Sequence, residues 1–218
     1  MKLVFDMSSV MCNCLLAGKD TENGYEAVDA NGKTHLVNTA AFGYERAVNQ
    51  IRASMLTNKS TPIDCIFVVE GMNSKARRVM MFKEYKNRGV RPLEQYEEFN
   101  KLKNLLTETF RSLGSIFVKQ DNVESDDVIA YIANNSEEDL VIHSQDNDLL
   151  VLSGVNKYGA KIDCYIGNDF NYNKYGHFEF RFITLYKSTV GDSGDKIPGI
   201  PGFGPAKWEE LETRFGDT

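Results

Sequence analysis

Carboxylates recur along this 218-residue chain at places where they could work together: Asp6, Glu70, Glu124, Asp126 and Asp127 in VESDD, Asp146 and Asp148 in QDND, and Asp192 and Asp195 in GDSGD. Several stand where an apolar run hands over to a loop or helix. If those runs are strands of an open parallel sheet, their carboxyl ends open onto one crevice and distant side chains converge there. So many negative charges in one place repel unless cations neutralise them, and hard oxygen ligands select Mg2+ or Mn2+. Two such ions can activate a water, clamp a phosphodiester and stabilise its leaving oxygen.

Taken singly, each carboxylate has a plainer role. A lone Asp after a strand usually caps a helix, and the run 124–127 suits a helix amino terminus. Asp146 and Asp148 resist that reading, because alternate residues on an extended chain point the same way and the apolar run 149–152 follows. The joint pattern favours a metal site.

A second group is basic. The stretch NSKARRVMMFKEYKNRGVRP carries Lys75, Arg77, Arg78, Lys83, Lys86, Arg88 and Arg91, with Phe82 and Tyr85 among them. Cations track phosphates and aromatic rings stack on bases, a combination suited to single-stranded nucleic acid. An isolated charge run is more often a solvated helix face. Its place directly after Glu70 tilts the reading towards substrate, and cations there could stabilise charge developing on a phosphate. The third group, GDSGDKIPGIPGFGPAKW, brings Gly191, Gly194, Gly199, Gly202 and Gly204 close together ahead of Lys207. Glycines let backbone amides approach an anion, and a helix starting near Pro205 adds its positive end, which points to a grip on a duplex backbone.

The elements that must position these groups can be read from periodicity. Residues 2–5 form a strand ending at Asp6, with Ser8 and Ser9 as candidate caps for a following helix. Between 18 and 33 the polar text and the pairs Asn23-Gly24 and Asn31-Gly32 suggest a loop or small hairpin. Asn38 is the candidate cap of a helix to about Leu56, and residues 63–69 make a second buried strand. Tyr96, Phe99, Leu102, Leu106, Phe110 and Leu113 recur at helical steps, with Gly114 as a stop. Residues 116–118 and 140–143 read as strands around a helix at 126–134. This alternation predicts an α/β fold with a mainly parallel, doubly wound sheet.

Composition sets outer bounds. A 42% hydrophobic content suits one sizeable core plus a small appended element. The amino terminus, MKLVFDMSS, fits neither a signal peptide nor a membrane span, so a cytoplasmic protein is expected. Cys12, Cys14, Cys65 and Cys164 are too scattered for a disulfide framework and lack zinc spacing. The formal charge of −6 opposes nucleic acid as a sum, but basic residues gather between Lys75 and Lys103 and acidic clusters follow from Glu124 onward.

At these residues the sequence resembles the flap endonuclease and 5′-3′ exonuclease family, in particular its bacteriophage members and the nuclease domains of bacterial DNA polymerase I. The family's early strand-end Asp looks like Asp6, its EADD motif resembles Glu124-Ser125-Asp126-Asp127, and its DxD resembles Asp146 and Asp148. Its GDSSDNIPGVPGIGP is similar to GDSGDKIPGIPGFGP here, which brings in Asp192 and Asp195. YKANR looks like Tyr85, Lys86 and Arg88 with one residue fewer between them, and Glu70-Gly71 stands where the family has Asp-Gly.

The resemblance implies a PIN-like nuclease domain over 1–180 with a helical arch at about 72–95, then a helix-three-turn-helix DNA-binding element over 181–218. It implies two Mg2+ (or Mn2+) ions on the nine carboxylates, a K+ ion at the glycine hairpin, Tyr85 stacking on a base, and Lys86 and Arg88 on the scissile phosphate. Relatives usually continue with further helices beyond Thr218, so the last element is read as either truncated or a minimal natural form. The implied activity is metal-dependent hydrolysis of DNA or RNA:DNA near a free 5′ end by a monomer, on duplex, flap or hybrid substrates, with replication proteins as further partners. The alternatives are a silent DNA-binding protein that keeps the fold, or a PIN-type ribonuclease, which would lack the glycine segment.

Overall fold

A computed structural model describes residues 1–16, 23–85, 91–166 and 182–215. Its centre is a six-stranded sheet built from β1 (Lys2–Asp6), β4 (Cys65–Glu70), β5 (Ile116–Gln120), β6 (Leu140–Ser144), β7 (Gly154–Val155) and β8 (Lys161–Ile166), in the order β5-β4-β1-β6-β8-β7. All neighbouring pairs are parallel except β7 with β8. The chain winds outward from β1 through β4 to β5, then returns to the other side of β1 as β6. The boundary between β1 and β6 is therefore the topological switch point, where an open sheet leaves a crevice outside its strand ends.

Both faces of the sheet are covered, as a parallel sheet requires. Leu3, Phe5, Cys65, Phe67 and Val141 face α1 (Met7–Leu16), α2 (Ala40–Thr57) and α4 (Leu93–Ser112). The alternate residues Val4, Val68, Leu140, Ile142, Ile162 and Cys164 face α5 (Ser125–Asn135), α6 (Ile183–Val190) and α7 (Pro205–Phe215). This period of two is why each strand reads as a continuous apolar run. On the first face one row of rings crosses five strands in register: Phe117, Phe67, Phe5, His143 and Tyr165, stacked at centroid separations of 4.9, 5.1, 4.7 and 5.3 Å. Parallel neighbours place identical positions side by side, so aromatics at matching register stack along the sheet.

Some expectations shift. The polar stretch after α1 is an antiparallel hairpin, β2 (Gly24–Val28) with β3 (Thr34–Asn38), turning at Asn31-Gly32 with Gly32 at φ 79°. Asn38 ends β3 and does not cap α2; Thr39 does, accepting from Phe42 N at 3.4 Å. Asp146 and Asp148 do not lie on an extended segment. Asp146 caps a short 3-10 turn, Asn147–Leu152, and accepts from Asp148 N at 2.9 Å. The competition between an Asp side chain and the ladder for backbone donors explains the turn. All four cysteines are free thiols.

Candidate functional site

The strand ends at the switch point open into a crevice of about 620 Å³ lined by Asp6, Glu70, Glu124, Asp126, Asp146, Asp148, Asp192 and Asp195. Eight of the nine carboxylates singled out in the sequence meet there, from β1, β4, the start of α5, the turn after β6, and the hairpin after α6. Asp127 does not line it; its side chain is 51% exposed and pairs with Arg78 at 2.8 Å.

Each carboxylate is held by its own local structure. Asp6 is 4% exposed and accepts from Ser144 Oγ at 2.9 Å and from Ser9 N at 3.3 Å. Burial pushes its carboxyl up to about 6 against those hydrogen bonds, with Asp146 and Glu70 adding repulsion. Glu70 accepts from Ser125 N at 3.1 Å, at the positive end of α5. Gly71 behind it is a necessity of packing: a Cβ there would fall 1.9 Å from Gln120 O. Burial also raises the Asp148 carboxyl, opposed by Lys187.

Lys187, on the last turn of α6, ion-pairs with Asp148 and lies 2.6 Å from Asp192. Burial alone would lower its pKa, but the two ion pairs outweigh it and hold the lysine above its ordinary value. Asp192 is opposed by burial and held below the usual carboxylate range by the same lysine. Sequence reading missed Lys187 and Ser144. The signal for Lys187 was its position, just one helical turn before GDSGD; Ser144, at the end of an apolar run, gave none.

The basic group divides. Lys75 borders the crevice. Arg77 and Lys83 are exposed on and after α3 (Ala76–Met81), and Arg91 is half-buried before α4. Arg78 ion-pairs with Glu124, and the Tyr85 hydroxyl donates to Glu124 Oε2 at 2.9 Å. Of the expected arch, residues 72–85 and 91–95 are described; Lys86 and Arg88 lie outside them.

At the glycine segment, Asp192 and Ile197 exchange backbone hydrogen bonds at 2.9 and 2.8 Å, closing a tight hairpin. Gly199 sits at φ 69°, and a Cβ there would meet Gly191 N at 2.6 Å. Gly202 sits at φ 75° with open space around it, and Gly204 precedes α7, where Lys207 is exposed and Trp208 buried. Trp208 packs edge-on to Tyr186 of α6 at 5.3 Å, joining the two helices around the hairpin.

The eight carboxylates of the crevice are oxygen donors, which fit a hard divalent cation. Among the described residues no three carboxylate, imidazole or thiolate ligands are arranged to hold one ion. Arg78 and Lys187 occupy three of the carboxylates instead.

A doubly wound α/β domain with an acidic crevice at its switch point defines the class. The chain belongs to the 5′-3′ exonuclease family, whose N-terminal resolvase-like domain matches residues 25–176. It is 33% identical over 156 residues to DNA polymerase I of Rhizobium leguminosarum, covering 69% of this chain and 15% of that protein. It is 30% identical over 171 residues to the 5′-3′ exonuclease of Buchnera aphidicola subsp. Schizaphis graminum, covering 76% of this chain and 56% of that protein. The chain thus spans about half, or much less, of these relatives. Its fold is similar to the T5 5′-exonuclease with bound zinc, at a TM-score of 0.65 and 18% identity over 99% of this chain and 75% of that one. It is also similar to the bacteriophage T5 flap endonuclease in a pseudo-enzyme-product complex with DNA and metal ions, at a TM-score of 0.66 and 16% identity over 98% of this chain and 75% of that one. No described helix is long and apolar enough to cross a membrane.

Proposed function

We propose that the protein is a divalent-metal-dependent 5′ nuclease that hydrolyses DNA or RNA:DNA phosphodiesters near a free 5′ end, acting as a cytoplasmic monomer. The observation that carries this reading is the convergence of eight carboxylates on one crevice beside a basic segment. Two bound ions, Mg2+ or Mn2+, would supply Lewis-acid polarisation of the phosphate and an activated water.

The chain's own residues then have separable tasks. Asp6, Glu70, Glu124, Asp126, Asp146, Asp148, Asp192 and Asp195 line the ion-binding crevice. Ser144 and Ser9 orient Asp6 through its two oxygens. Asp146 sets the turn that aims Asp148. Lys75, Arg77, Lys83 and Arg91 draw the phosphate backbone toward the crevice. Tyr85 is assigned to a base, and Lys86 and Arg88 to the scissile phosphate, on the strength of the family motif. The hairpin at Gly199 and Gly202, with Lys207 behind it, grips the duplex through backbone amides, and a K+ ion is assigned to it on the same ground.

The test is cleavage of labelled duplex, flap and hybrid substrates with magnesium and with chelator. Metal-dependent release from the 5′ side supports the reading, and binding without cleavage favours a silent DNA-binding protein.

A further inference from the structure

Glu124 lines the crevice proposed to hold cations, and the second role assigned to it rests on that nuclease reading. It is 3% exposed at the amino end of α5, yet its carboxylate is already engaged by the segment that comes after β4. The Tyr85 hydroxyl donates to Oε2 at 2.9 Å, and the Arg78 guanidinium ion-pairs with the same oxygen. Arg78 donates to the Tyr85 hydroxyl at 3.2 Å, its guanidinium carbon lies 5.7 Å from that ring's centroid, and its other amino group holds Asp127 Oδ1 at 2.8 Å. The planar guanidinium fork serves both carboxylates at once.

A divalent ion on Glu124 competes with Arg78 and Tyr85 for one carboxylate, since a guanidinium and a metal ion on the same carboxylate repel. Asp127 lies outside the crevice and holds the other arm of Arg78, which braces the guanidinium against Glu124. We infer that Arg78, Tyr85 and Asp127 form a metal-displaceable latch: without metal it fastens residues 76–85 to the carboxylates, and metal binding at Glu124 releases them towards nucleic acid. Linkage makes the effect reciprocal: metal binding loosens the latch by the factor by which the closed latch weakens metal binding.

The test uses the full chain without DNA. Calorimetric titration with Mg2+ and Mn2+ compares the protein with Arg78→Met, Tyr85→Phe and Asp127→Asn, while hydrogen exchange follows amides 76–85. A latch closed about nine-tenths of the time weakens metal binding about tenfold, so Arg78→Met binds metal about tenfold tighter. Tyr85→Phe and Asp127→Asn shift affinity the same way by less, and metal speeds exchange over 76–85 in the unmodified protein but not in Arg78→Met. Far-UV circular dichroism and Trp208 emission check that each variant is folded. Unchanged affinity in Arg78→Met, or exchange indifferent to metal, overturns the latch while leaving the nuclease reading intact. Weaker binding in Asp127→Asn makes that residue a ligand and also overturns it. Absence of metal binding in every form removes both.

Discussion

Ser144 ends β6 and donates its hydroxyl to Asp6 Oδ2, 2.9 Å away at the end of β1. The bond spans the switch point, so the two strands that open the crevice are tied by a carboxylate and a hydroxyl. The same hydroxyl accepts from Asp146 N at 3.0 Å, linking the turn after β6 to the end of β1.

Asp146→Asn keeps an oxygen to accept from Asp148 N but removes a charge from the crevice. Turnover falls by about a hundredfold or more while DNA affinity stays close to that of the unmodified protein. Single-turnover cleavage alongside a binding titration measures both.

Two buried groups give opposite pH slopes in the metal-free chain. Asp6 is raised to about 6, so the native state holds its proton when the unfolded chain has lost it. Its contribution is present below about pH 4 and lost as pH rises through about 6. Burial lowers His143 to about 4, so the native state refuses a proton that the unfolded chain accepts. Its contribution is present above about pH 6.5 and lost as pH falls towards about 4. The two offset each other between those limits. Asp6→Asn exposes the histidine slope, with about 3 kcal/mol lost between about pH 6.5 and about pH 4. Urea unfolding across this range in chelator checks it.

Lys187→Ala leaves Asp148 and Asp192 without their shared cation. The metal-free protein loses about 2 kcal/mol, and millimolar Mg2+ restores more stability than it adds to the unmodified chain. Thermal melts with and without magnesium decide this.

Gly199→Ala and Gly202→Ala separate strain from collision. Both sites have positive φ, but only at 199 would a Cβ strike backbone. Gly202→Ala costs about 1 kcal/mol and Gly199→Ala about 3 kcal/mol. Loss of duplex affinity follows the same order.

Much of this arrangement is legible in the sequence because strands buried on both faces are plain apolar runs, and β1 and β4 end in Asp6 and Glu70. The cluster at Glu124 is found as an acidic run at a helix start. Sequence spacing could not find Ser144, whose role comes from the register of β1 with β6; Lys187 stood one turn before GDSGD, but its pairing with Asp148 comes from the approach of α6 to the turn after β6. Asp127 shows the opposite failure: adjacent to Asp126, it turns out of the crevice because neighbours on a helix point about 100° apart. The hairpin β2–β3 was only half visible, because its strands are short and partly exposed.

The central claim is tested most directly by cleavage of 5′-labelled and 3′-labelled duplex, flap and RNA:DNA hybrid substrates, with magnesium and with chelator. The account predicts fragments released from the 5′ side only when magnesium is present, with loss of that release in Asp146→Asn. Binding without cleavage, or cleavage that survives chelator, would contradict it.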